Sequence, residues 1–423
     1  MRKMDGEAVD GASAFAGDDR LALRNTIVLS AAQAVGGTVG PLNLAISGLA
    51  GFYLLGADKS LATLPVTGFV LGTACGTMPA AMLMRRFGRK PGFAGGMLVG
   101  AAGALVQAAA MVAGSFWLLC LGTFLMGLSH AFVQQFRFAA ADTASPAFRP
   151  KAISWVLAGG MVAAILGPQT VIFTKDMMAP TPFAGAFISG ALLMVVAAVI
   201  LLALRIPREE MPAAGHGGRP LMEIARQPVF VIAVICAISS YALMNLVMTA
   251  APLAMVHHGH SEEQAVLGIQ WHVLAMFAPS FFTGFLIVRY GVEAIIAAGL
   301  VLMMGCAAVA LAGLSVAHFW GALILLGVGW NFGFIGATTM VTSTYRPVEK
   351  ERVQGLNDML VFGWVAFASF SSGKLLAFGG WSLVNLSLLP ISLLCLAALA
   401  WMIASGHRGT PDVSPSRHEP DPL

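Results

Sequence analysis

The chain has 423 residues, 58% of them hydrophobic and only 10% charged, with a mean hydropathy of +0.81. A soluble globular protein carries about 25% charged residues, so the composition excludes a water-soluble enzyme or binding domain and indicates an integral membrane protein. The formal net charge of +4 and pI near 8.9 carry no message about nucleic acid, because the bases are sorted by position along the chain.

Residues 1–24 mix acids, bases and small residues without an apolar core, and read as a tail rather than a cleavable signal peptide. Twelve apolar runs follow, at about 25–53, 61–84, 92–114, 116–141, 152–174, 183–206, 228–256, 264–288, 293–314, 317–343, 354–376 and 380–404. Most reach the roughly 20 residues that cross a bilayer, and helices are predicted because each span must satisfy its own backbone in lipid. The longest polar connection, residues 207–227, combines Pro, Gly and charges at mid-chain. It is predicted to be a linker between a six-helix half over 25–206 and another over 228–404, with a tail over 405–423. If the N-terminus is cytoplasmic, 21 of the 24 Lys and Arg residues fall on that side, and only Lys59, Lys175 and Lys374 on the other. That bias is the positive-inside rule, and a missed or invented span would scramble it.

The two halves echo each other. The stretch MLMRRFGRK after the second run matches FLIVRYGVE after the eighth, aligning Arg86-Phe87-Gly88 with Arg289-Tyr290-Gly291, and AFRPKAIS matches TYRPVEKERVQG. Two six-helix halves related by an axis along the membrane normal are a transporter plan, with substrate held between them. RRFGRK, together with Leu166-Gly167-Pro168 in the fifth run, resembles the loop and Gly-Pro motifs of the major facilitator superfamily over residues 20–405. The resemblance implies that fold and a gating loop at Arg85, Arg86, Gly88, Arg89 and Lys90. The sequence departs from the motif at Ala81, where the family has glycine, and at Arg85, where it has an aspartate that helps latch the halves.

Met244 and Met248 lie four residues apart in the seventh run, and His272 and Met276 four apart in the eighth. Each pair therefore shares one helix face. Twenty-three methionines make roughly one such Met pair expected by chance, and methionine is a natural apolar filler. A histidine within a span is nevertheless a functional hypothesis by default. Thioethers and imidazole are soft, uncharged ligands that select Cu(I). The set resembles the CcoA-like branch of the superfamily, whose copper importers supply cytochrome oxidase assembly, and the resemblance places copper on Met244, Met248, His272 and Met276. Copper members also carry a second cysteine four residues after the position of Cys236; here it is Ser240, which weakens copper and favours the related riboflavin importers.

Cys236, Met126 and His130 are secondary metal candidates, and His257, His258 and His260 stand at the outer mouth. The five cysteines show no paired spacing, so no disulfide framework is expected. An organic solute would instead need aromatic faces and donors, which Tyr241, Trp271, Trp330, Asn331, Phe332 and Phe334 supply. Asp358 is a candidate coupling carboxylate, and Arg137 with Asp142 are further polar groups near the core. The expectation is an all-α membrane protein of twelve helices, monomeric, in the bacterial cytoplasmic membrane with both termini inside. It is read as importing copper, as cargo rather than cofactor, by alternating access. Riboflavin import is the alternative, and export of another small organic solute comes third. With no HExxH, phosphate loop or nucleophile elbow, an enzyme is not expected.

Overall fold

The computed structural model describes residues 4–145, 148–206 and 218–406. Every regular element among them is helical: α1 (Met4–Gly36), α2 (Val39–Leu54), α3 (Leu64–Phe87), α4 (Arg89–Ala113), α5 (Phe116–Val133), α6 (Phe136–Asp142), α7 (Arg149–Thr174), α8 (Ala184–Leu201), α9 (Leu221–Ala225), α10 (Pro228–His257), α11 (Glu262–Phe277), α12 (Ser280–Tyr290), α13 (Val292–Ala312), α14 (Val316–Thr342), α15 (Lys350–Leu386) and α16 (Leu388–Ala404), with a 3₁₀ turn at Pro347–Glu349. Ten helical stretches are long and apolar enough to cross a bilayer, and α11 with α12, bent by 43°, makes an eleventh. One of the ten is the 53-residue stretch Arg352–Ala404. At 1.5 Å per residue it would run about 80 Å, more than twice a hydrocarbon core. Its helix breaks at Gly380, φ 66°, which divides it into two crossings and gives twelve. Helix α1 begins at Met4, inside the stretch read above as a tail, but its membrane-crossing part begins at Arg20.

Small residues point inward and large apolar ones outward, as lipid rather than water bathes the surface. In α8 Gly190, Ala191 and Met194 are buried, while Leu192 and Val199 are 64% and 60% exposed. The closest approach is between α3 and α5. A Cβ added at Gly72 would lie 2.1 Å from Phe124 O, and one at Gly127 2.1 Å from Phe69 O. Only glycine lets these backbones pass.

Helices α1–α8 pack among themselves, as do α10–α16. The internal repeat shows in local geometry: Gly88 and Gly291 join successive helices with φ 94° and 87°. A second echo is buried. Asn43-Leu44 followed by Ser47 in α2 matches Asn245-Leu246 followed by Thr249 in α10. Ser47 Oγ donates to Asn43 Oδ1 at 3.0 Å, and Thr249 Oγ1 to Asn245 Oδ1 at 3.4 Å. The halves meet where α2 packs on α10 and α11, α3 on α15, and α7 on α11.

Of the 207–227 connection, residues 207–217 lie outside the described residues, and the rest is clamped to the second half. Arg219 donates from Nε to Glu349 Oε1 at 3.0 Å and from Nη2 to Glu349 Oε2 at 2.8 Å, while the Arg219 and Arg346 backbone amides also point at the carboxylate. These bonds, with Arg219 first, hold the Glu349 carboxyl far below the ordinary carboxylate range. A depressed folded pKa stabilises fully above the unfolded value and is lost only as pH falls through the folded one. Glu349→Gln is therefore expected to lower the melting temperature in detergent equally at pH 7 and pH 5. A wild-type advantage that vanished by pH 5 would show that the clamp does not hold the Glu349 carboxyl low.

Candidate functional site

The bundle has two unlike faces. At one, the Gly88 and Gly291 junctions present Arg85, Arg86, Arg89 and Arg289; at the other, α7 ends at Lys175 and α11 begins after Ser261. At the lysine face the halves are linked. Lys175 Nζ reaches Glu263 Oε1 at 2.9 Å and Glu262 Oε2 at 3.2 Å across the seam, and Asp176 Oδ2 at 2.7 Å on its own side. One to two turns deeper, Gln169 Nε2 donates to Gln270 Oε1 at 2.8 Å. On a second seam Thr67 Oγ1 donates to Ser369 Oγ at 3.1 Å.

Toward the arginine face, polar groups of the two halves approach each other. Arg137 of α6 is exposed, and its electrostatic neighbours in the other half are Asp358 of α15 and Tyr241 of α10. A base of the first half and an acid of the second thus lie within electrostatic reach of each other. Asp358 Oδ1 also accepts from Asn357 Nδ2 at 3.1 Å. Asp142, the other polar group noted near Arg137, pairs instead with Arg89 at the start of α4. Both partners of that pair sit at helix ends on the arginine face, where α4 begins and α6 stops.

Beside the charged pair stands an aromatic cluster. The ring of Tyr241 is 5.0 Å from Phe334, 5.4 Å from Trp330 and 5.7 Å from Phe362, edge to face in each case. Trp330 stacks on Phe334 at 5.3 Å and 17°. Trp330 Nε1 is buried without an acceptor, an unmet donor that costs about 1–3 kcal/mol. The cluster is built of flat unsaturated rings, and a carbonyl that reached the indole N–H would meet an unused donor. Sequence reasoning found Tyr241, Trp330 and Phe334 but missed Phe362, one turn from Asp358 on the same helix.

The other candidates have different surroundings. Asn331, read above as an organic-substrate contact, is committed within its own half. It donates to Met276 O and to Ser280 Oγ, both at 2.7 Å, and accepts from Thr283 Oγ1 at 2.6 Å. The break at Pro279 between α11 and α12 leaves backbone acceptors to be satisfied, and Asn331 takes one. Trp271, 42% exposed, lies off the packed side of α11.

Met244, Met248 and Met276 share one core cluster, at 1%, 2% and 8% exposure, and His272 is fully buried. His272 Nδ1 donates to Leu323 O at 2.8 Å, tying α11 to α14, and Nε2 is buried without a partner. In the repeat, Met244 and Met248 occupy the places of Leu42 and Ile46, both purely apolar. Met126 belongs to a separate cluster of the first half, and His130 packs against Phe69 with rings 5.3 Å apart. Cys236 lies thiol to thiol with Cys395, which donates to Ser239 Oγ at 3.1 Å. Among the described residues no group of three or more His, Cys, Asp or Glu side chains is arranged to hold a metal ion. His260 at the mouth is bonded to Leu314 O at 2.7 Å.

Three kinds of likeness bear on this geometry. The profile of the Major Facilitator Superfamily matches residues 25–369 and 233–423. The riboflavin transporter RfnT of Brucella anthropi is 52% identical over 384 residues, covering 90% of this chain and 96% of that protein. The uncharacterized MFS-type transporter YdeG of Bacillus subtilis is 30% identical, covering 89% and 91%. In fold, the crystal structure of the nucleoside transporter NupG superposes with a TM-score of 0.69 at 15% identity, covering 90% of this chain and 99% of that one.

Proposed function

The chain belongs to the Major Facilitator Superfamily and is a multi-pass membrane transporter, and from that premise we propose that it imports riboflavin across a bacterial cytoplasmic membrane, both termini inside. The observation that carries this reading is the 52% identity to a riboflavin transporter along nearly the whole of both chains. The side chains gathered at the seam agree with it chemically. Riboflavin joins a planar tricyclic ring, with two carbonyls and an imide N–H on one edge, to a polyhydroxylated chain. The Tyr241, Trp330, Phe334 and Phe362 rings suit the ring faces. Arg137 offers donors to the carbonyls and Asp358 an acceptor to the imide. We also take Asp358, opposite Arg137 of the other half, as the candidate carboxylate for coupling transport to a proton. Copper import draws no support from the relatives, and the methionines follow the apolar repeat.

The test is parallel uptake of labelled riboflavin and labelled copper by cells lacking their own importers, with and without this protein. Riboflavin accumulation that unlabelled riboflavin competes away, with copper at the empty-vector level, is expected. Inserted protein that accumulates no riboflavin would overturn the proposal. A second prediction separates filling from ligation. Met244→Leu with Met248→Ile installs the residues of the first repeat, and such volume-conserving swaps cost less than about 1.5 kcal/mol. Riboflavin uptake is expected to stay within about twofold of wild type. A collapse of uptake in correctly inserted protein would return these side chains to a ligand role.

A further inference from the structure

Of the three lysines that the charge count leaves on the face opposite the arginines, two stay within their own half. Lys59 Nζ is held by Phe52 O at 2.6 Å and Leu55 O at 2.5 Å, and Lys374 lies 4.6 Å over the Phe370 ring. Lys175 is different. Its side chain is only 10% exposed, and it carries the ion pairs that span the two halves at this face, joining the end of α7 to the start of α11. Burial opposes its charge, but hydrogen bonds to Asp176, Glu263 and Glu262 outweigh that and hold the ammonium above the ordinary lysine range. The Gln169–Gln270 pair repeats the bridge between the same two helices.

We propose that Lys175 with Glu262 and Glu263 is the gate of the lysine face, backed by Gln169 and Gln270, and that both layers part each time substrate enters from that side.

The partners are arranged for parting rather than for permanent fastening. Asp176 belongs to the same half as Lys175, 2.7 Å away, so the lysine keeps one carboxylate when the halves separate. Glu262 and Glu263 stand in the first turn of α11, capped by Ser261 and Gln264. Negative charge is favourable at a helix N-terminus without any lysine, and both carboxylates are already partly exposed, at 39% and 43%. Opening therefore strands no buried charge, which a fixed interior ion pair would do at great cost. The two amides beneath exchange each other for water. A seam with satisfied groups in both states is what a two-state element needs.

The proposal rests on the transporter reading but not on the cargo, and its test follows suit. In a background with the five native cysteines replaced, Gln270→Cys is labelled from the lysine face with a membrane-impermeant maleimide. Lys175→Gln, and separately Glu262→Gln with Glu263→Gln, is expected to speed labelling about threefold to tenfold by shifting the population toward the open state. Asp176→Asn, which removes no bond across the seam, is expected to change it less than about twofold. Bridging Gln169→Cys to Gln270→Cys with a short thiosulfonate crosslinker is expected to abolish uptake, reversibly with reductant. Labelling indifferent to Lys175, together with uptake that survives the crosslink, would overturn the gate. A labelling response in a protein that takes up no riboflavin would leave the gate standing and remove only the cargo.

Discussion

Trp330→Ala is expected to reduce riboflavin uptake by at least about tenfold in normally inserted protein, and Trp330→Phe to give an intermediate loss. The indole is stacked on Phe334 at 5.3 Å and 17° and stands edge-on to Tyr241 at 5.4 Å. Truncating it removes one wall of the aromatic cluster and the support of two other rings. Aromatic pairs are worth about 0.5–1.5 kcal/mol beyond their buried area, and the contact with a flat substrate is lost as well. Trp330→Phe keeps the apolar wall and deletes the Nε1 donor, which has no partner within the protein. If a substrate carbonyl satisfies that donor, its loss weakens binding by about 1 kcal/mol, or roughly fivefold. If Trp330 only fills space, removing an unsatisfied donor should leave uptake unchanged or improve stability. Measuring KM and maximal rate for both variants beside a melting curve separates these cases. Phenylalanine behaving like tryptophan in transport would remove the indole from the substrate-binding account.

Gly127→Ala is expected to be the most damaging single methyl in the first half, with the melting temperature falling by many degrees or no folded protein recovered. The added Cβ would sit 2.1 Å from Phe69 O, 2.8 Å from Thr73 N and 2.9 Å from Gly72 Cα. All three are backbone atoms, so no rotamer change relieves the clash and α3 must move bodily away from α5. Overpacking costs about 1–3 kcal/mol even where side chains can adjust, and here they cannot. Gly95→Ala in α4 is the control, since its Cβ would meet nothing within 4 Å. Gly→Ala in a helix interior stabilises by about 0.5–1 kcal/mol, so that variant should melt at or above wild type. Equal melting of the two variants would refute the close crossing.

Much of the fold is legible in the residues themselves. Lipid demands about 20 apolar residues per crossing and selects against charge, so span number and spacing stand out in a sequence with 10% charged residues. The twofold plan is legible too, because Gly88 and Gly291 must both adopt positive φ, a requirement that keeps glycine at both turns. The same spacing rules place Met244 above Met248 and His272 above Met276 on their helix faces. They do not say what those faces touch. In the fold His272 spends Nδ1 on Leu323 O, and the methionines sit where the first repeat has Leu42 and Ile46.

The site, by contrast, was decided by tertiary structure. Arg137 and Asp358 lie in opposite halves, 221 residues apart, and nothing in local spacing brings them together, just as nothing in it gives Asp142 to Arg89. Lys175 read as one of three stray bases until α7 and α11 brought it against Glu262 and Glu263. Asn331 read as a substrate donor until the break at Pro279 required it as a staple. The division has one physical cause. Partition into lipid acts on each segment independently and leaves its mark in composition and period, whereas a binding surface forms from side chains of several helices whose neighbours are fixed only when two six-helix halves close on each other.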